Sequence, residues 1–153
     1  MSGPGRGDGG SASVEFLAVG LLLLVPLVYL VLTLGRVQAG TFAAEAGARE
    51  ASRLLATTAG DERATARAEA AVALALADQG FAPVPGSLDL DCAATPCRTP
   101  EAAVAATVHV DVDLPLVPGF VRGVWPAVVG VEVRRTAVAD RFAPSTTSSA
   151  GRP

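Results

Sequence analysis

The sequence predicts an α+β protein on a membrane stalk. An N-terminal single-pass transmembrane helix extends outward, followed by a second helix and a small antiparallel sheet of two or three strands. Three observations predict this. Twenty residues without a charge, Phe16 to Gly35, lie between Glu15 and Arg36. An Ala-rich stretch with charge pairs at helical spacing follows. From Ala102 onward the apolar residues switch to a period of two. The 153-residue chain is 50% hydrophobic yet only 5% aromatic, as expected of an aliphatic block set apart from one ordinary domain.

The block reads FLAVGLLLLVPLVYLVLTLG. A bilayer core of about 30 Å takes about twenty helical residues at a rise of about 1.5 Å each, so it crosses once. A secretory signal has an apolar region of only about 7–15 residues. Pro26 falls mid-span, where a soluble helix would lose about 3 kcal/mol; membrane helices accept proline, usually with a kink. A domain this small could not cover every face of such a helix, which makes membrane lipid its partner.

Other function classes are excluded by composition. The formal charge is −3 and all twelve basic residues are Arg, which gives no electrostatic footprint for nucleic acid and no polybasic lipid-binding tail. Two Cys and one His do not make a closed four-ligand zinc site. There is no Gly-rich phosphate loop, no G-x-S-x-G and no Ser/His/Cys constellation. The chain reads as a non-enzyme, with no catalytic residue, metal or cofactor.

The ten residues MSGPGRGDGG form a Gly-rich leader, 1-10, expected to be disordered. Gly10-Ser11-Ala12-Ser13-Val14-Glu15-Phe16 then leads straight into the span. A carboxylate at the mouth of a membrane helix is costly unless paired or held in the interface. Gly9-Gly10 offers an unhindered backbone that can lie extended in a peptidase. Gly, four residues, Glu and an aromatic, joined to an immediate apolar span, resembles the prepilin-peptidase processing site of type IV pilin-like proteins. In particular it resembles the TadE-like pseudopilins of the Tad (tight adherence, Flp-type) pilus system. Main pilins of that system carry Tyr where this chain has Phe16.

The resemblance implies a cut between Gly10 and Ser11, leaving 143 of the 153 residues. It implies that Glu15, near the new amino terminus, pairs with an ammonium group, its own or a neighbour's. It further implies a minor pseudopilin-like subunit in the plasma membrane of a bacterium, with its carboxyl-terminal domain extracytoplasmic. The partners implied are a prepilin peptidase, other pilin-like subunits and the Tad assembly platform. The family order of membrane helix, Glu/Arg/Ala-rich extension and strands covers most of residues 10–142.

Two other readings of the same residues stand beside it. Glu15 can be a simple helix-end carboxylate, with Ser11 or Ser13 as N-cap. Val37-Gln38-Ala39 carries small residues where a signal peptidase reads, so a cut after Ala39 would free a secreted binding module, or an ordinary anchor would retain it. Charge bias is in conflict with the family orientation. Arg36, Arg49 and Arg53 follow the span, whereas Arg6 is offset by Asp8 before it, and the positive-inside rule favours a cytoplasmic carboxyl end.

Residues 11-60 hold the span and its helical extension, in which Glu45/Arg49 and Glu50/Arg53 fall at i,i+4 and i,i+3. Gly40 and Gly47 weaken that helix by about 1 kcal/mol each relative to Ala but permit close approach. Asp61 starts a second helix to about Gln79, ended by Gly80, with Val72, Leu74 and Leu76 as a thin apolar stripe.

In residues 61-142, the outward α+β domain, Val104, Ala106, Val108, Val110, Val112 and Leu114 alternate with Thr107, His109, Asp111 and Asp113, as in a half-buried strand. Ala127–Ala139 predicts a second strand, with Val129, Val131 and Val133 on one face, and Ser87–Cys92 a short third. The second helix is expected to cover the sheet. Cys92 and Cys97 are expected to form a disulfide in an oxidising space, contributing about 2–3 kcal/mol. His109 with Asp111 and Asp113 reads as a solvated face rather than a cation site. Residues 143-153 form a Ser/Thr-rich tail, expected to be disordered.

Overall fold

In the computed structural model, which describes residues 11–58, 61–117 and 127–141, one unbroken helix, α1, runs from Ser11 to Thr57. Its 47 residues make a rod about 70 Å long. Pro26 sits inside it and denies the Leu22 carbonyl its usual donor. The helix has two environments. Through the apolar span the large side chains are uncovered, from Phe16 at 77% to Leu34 at 54% exposed. Beyond Arg36 a stripe of Ala43, Ala44, Ala48, Ala51 and Leu55 is buried. Water does not tolerate an apolar cylinder of that size. Among the described residues α1 is the one helix long and apolar enough to cross a membrane, and its most apolar stretch is wholly unburied.

The second helix, α2, spans Asp61–Asp78 and opens with Asp61 and Glu62 in its first turn, where carboxylates complement the helix dipole. Its buried row is Ala64, Ala68, Val72 and Leu76, a strict i,i+4 line. Leu74, expected on that stripe, points away and is largely exposed. Gly80 ends the helix with φ at +74°. The Gly80 amide donates to Ala77 and the Phe81 amide to Leu76, which is the Schellman pattern of a left-handed glycine cap. Phe81 and Leu76, the apolar pair that accompanies that pattern, both join the core.

Three strands follow: β1 (Leu88–Cys92), β2 (Ala103–Asp113) and β3 (Val128–Val138). They form one antiparallel sheet in the order β1-β2-β3. The register places Leu88 opposite Val108, Val108 opposite Val133 and Val110 opposite Val131. Val104, Ala106, Val108, Val110 and Val112 of β2 are buried, as their alternation predicts. Ala105 and Thr107, on the other face of the same strand, are buried too. Arg134 of β3 reaches over them to Asp91 of β1, 2.8 Å away, and the long side chain shields what lies beneath.

The sheet is not covered chiefly by α2, as expected, but by α1, against which both β2 and β3 pack while α2 lies on another side of the same helix. The reason is side-chain size. A helix contacted from two directions needs small residues on both contact faces, and α1 supplies Ala43, Ala44, Gly47, Ala48 and Ala51. Gly47 meets Val72 of α2, whose Cγ2 would lie 3.4 Å from an added Cβ. Gly40 meets β2 instead. A second, smaller core of Leu55, Ala64 and Val104 closes the far end of the domain beside Cys92 and Cys97. The leader 1-10 and the tail 143-153 lie outside the described residues.

Candidate functional site at the head of the membrane helix

The motif Gly10, Ser11, Glu15, Phe16 falls where leader meets helix. Gly10 lies outside the described residues. Ser11 is the first residue of α1, and Ser13 is inside the helix rather than capping it. Glu15 stands four residues on from Ser11, so the two share a face, about 6 Å apart along the axis. Phe16 is 77% exposed, within a stretch uncovered from Ala12 onward. A chain beginning at Ser11 would therefore place its α-amino group one turn before the Glu15 carboxylate, on the same side of the rod.

The opposite end of the span is fastened to the domain. Arg36, the first charge after Gly35, holds its guanidinium carbon 4.6 Å from the centroid of the Phe81 ring. This cation–π contact joins the end of the apolar stretch of α1 to the residue that follows the Gly80 cap of α2. Beside it opens a cavity of about 370 Å³ between Arg36, Phe81, Val84, His109, Asp111 and Asp113. Further along α1, Glu45 accepts a hydrogen bond from Arg135 of β3 at 2.8 Å, with both side chains half-buried. Arg135 occupies an inward position of β3, opposite Ala106, and the ion pair is how a charge is accommodated there.

On the outer sheet face His109 stands between Asp89 on β1, at 3.2 Å, and Glu132 on β3, at 3.7 Å. All three groups are exposed. Among the described residues no group of three His, Cys, Asp or Glu is placed to hold a metal ion. Cys92 and Cys97 are joined in a disulfide, with their Cα atoms 5.1 Å apart. Glu50 and Arg53 pair on the exposed face of α1, and this hydrogen bond holds the Glu50 carboxyl below its ordinary value.

No protein-family model, curated protein or solved structure matches the chain.

Three features escaped the sequence reading: the Arg36–Phe81 contact, the Glu45–Arg135 pair and the place of Leu116, which lines an apolar hollow with Leu24, Pro26 and Tyr29 of α1. The first two join residues 45 and 90 positions apart, beyond any local pattern. An arginine at an inward strand position was the one available signal, because such a charge requires a partner.

Proposed function

We propose that this chain is a minor pseudopilin-like membrane subunit for assembly of a Tad/Flp-type pilus or secretion machine, processed by prepilin peptidase after Gly10. One observation carries the reading. The Ser11–Glu15–Phe16 head opens an unbroken helix that is uncovered through its span and then becomes the centre of a small domain. Such a subunit works by contact: the span packs among other pilin-like helices, and the domain is displayed beyond the bilayer. Glu15 pairs with the ammonium group at Ser11 of its own chain or of a neighbour, which sets the depth of one helix beside the next.

The orientation that goes with this reading places residues 61-142 outside the plasma membrane of a bacterium. The Cys92–Cys97 disulfide supports that side, since such bonds persist in oxidising compartments. It outweighs the arginines after the span, because long downstream domains are translocated largely regardless of charge.

The competing cut after Ala39 has less support. Val37 and Ala39 pack against the domain core, so that cut would remove part of the domain's own packing together with its anchor.

The test is co-expression with a prepilin peptidase. The wild-type chain is expected to shorten by its leader, and Gly10→Leu is expected to block the shortening. Processing of Gly10→Leu at the wild-type rate would overturn the proposal.

A further inference from the structure

We infer that the turn after β2 is a second membrane contact, in which Leu116 enters the leaflet beside the span and the two together hold a phospholipid acyl chain. The inference rests on α1 being membrane-embedded, but not on which assembly the subunit serves. Leu116 lines an apolar hollow of about 500 Å³ whose other walls are Leu24, Val25, Pro26, Val28 and Tyr29 of α1. It is 72% exposed and its φ is +60°, a backbone conformation that a leucine rarely adopts. In water a large apolar side chain on a left-handed turn has nothing to recommend it. Beside a lipid-facing helix it gains a solvent that matches it.

The depth follows from the packing. Val112 meets α1 at Gly40, β2 ends at Asp113, and the turn beyond it brings Leu116 to the span at Leu24–Tyr29. The hollow lies six to eleven residues inside the Gly35 end of the span, a depth of about 9–17 Å. That range runs from inside one leaflet to about the midplane of a core about 30 Å thick. The occupant is lipid rather than protein because the hollow is continuous with the uncovered surface of the span, where Leu24, Val25 and Val28 are already bare.

The consequence is that the domain rests on the bilayer instead of standing clear of it. Two anchored points, the span and Leu116, fix its rotation about α1. A filament subunit or a platform component must then meet one defined face of it.

The test uses single cysteines, since the chain's two native cysteines are tied in the disulfide. Leu116→Cys and, as a span control, Leu30→Cys are labelled with an environment-sensitive fluorophore in the full chain in phosphatidylcholine–phosphatidylglycerol vesicles. The expected result is blue-shifted emission from both, quenched by doxyl-labelled lipid and at least threefold less by aqueous iodide. If Leu116→Cys emits as in water and is quenched by iodide while Leu30→Cys is lipid-buried, the second contact is wrong and the span stands. If both sites emit as in water, the membrane reading itself falls with it. Protection of Leu116→Cys from iodide and doxyl lipid alike would assign the hollow to protein and overturn the lipid proposal.

Discussion

Gly40 of α1 and Val112 of β2 meet so closely that a Cβ added to the glycine would lie 2.5 Å from the valine Cγ2 and 3.5 Å from Cζ of Phe81. A glycine in a helix otherwise costs stability. Here it is the condition for the sheet to lie on the helix that carries the domain.

Gly40→Ala should therefore destabilise the domain, by about 1–3 kcal/mol as for other overpacked cores, despite the better helix propensity of alanine. Val112→Ala in the same chain should recover part of the loss. Gly47→Ala, whose new Cβ would make only ordinary contact with Val72, should cost far less. Thermal unfolding followed by circular dichroism in detergent micelles distinguishes the three variants.

Gly80→Ala puts a side chain on a residue at φ +74°. The expected loss is about 1 kcal/mol, read as a lower melting temperature with the span unaffected. Gly86→Ala, also at positive φ but with open space where its Cβ would go, serves as the control for backbone strain without a helix cap.

The Glu45–Arg135 pair ties the third strand to the stalk. Its half-buried setting should give a double-mutant coupling energy of about 1 kcal/mol, at the upper end of the range for partly exposed pairs. The pair of Arg141 and Glu101, 3.9 Å apart and exposed on both sides, should show almost none.

Removing the disulfide with Cys92→Ala and Cys97→Ala should cost about 2 kcal/mol by the loop-entropy estimate for so short a ring. Because the bond borders the small core of Leu55, Ala64 and Val104, hydrogen exchange should rise first around the ends of α1 and β1 farthest from the apolar span. Protection around Phe81 should hold.

Glu50 gives a pH dependence of known sign. Its hydrogen bond from Arg53 depresses the folded-state value below the ordinary 4.5, so the unfolded chain takes up a proton first as acid is added. The contribution is present above the unfolded value and is lost as pH falls through the folded one. Glu50→Gln should slightly flatten the acid side of a melting-temperature profile between about pH 6 and pH 3. Added salt should shrink the difference, because the pair is exposed.

Several elements were legible from residue pattern alone. The uncharged run Phe16–Gly35, the β2 alternation from Val104 to Val112 and the stop at Gly80 each depend on neighbours in the chain, and each reappears in the fold. What covers what was not legible. A period of two shows which face of β2 is apolar; it does not say whether α1 or α2 lies on it, and here α1 does. Leu74 was misplaced because an Ala-rich helix has little contrast between faces, and the i,i+4 row of Ala64, Ala68, Val72 and Leu76 wins by packing on α1. Ala105 and Thr107 are buried by a cross-strand ion pair, a contact that pattern along one strand does not encode. At the head of α1, Glu15 lies one turn inside a helix that begins at Ser11.

Processing at that head is tested most directly by the intact mass of the mature chain. Purified from membranes of cells that carry a prepilin peptidase, the chain should begin at Ser11 and retain 143 of its 153 residues. A mature chain that begins at Gly40, or one that keeps its leader in the presence of an active peptidase, would contradict it.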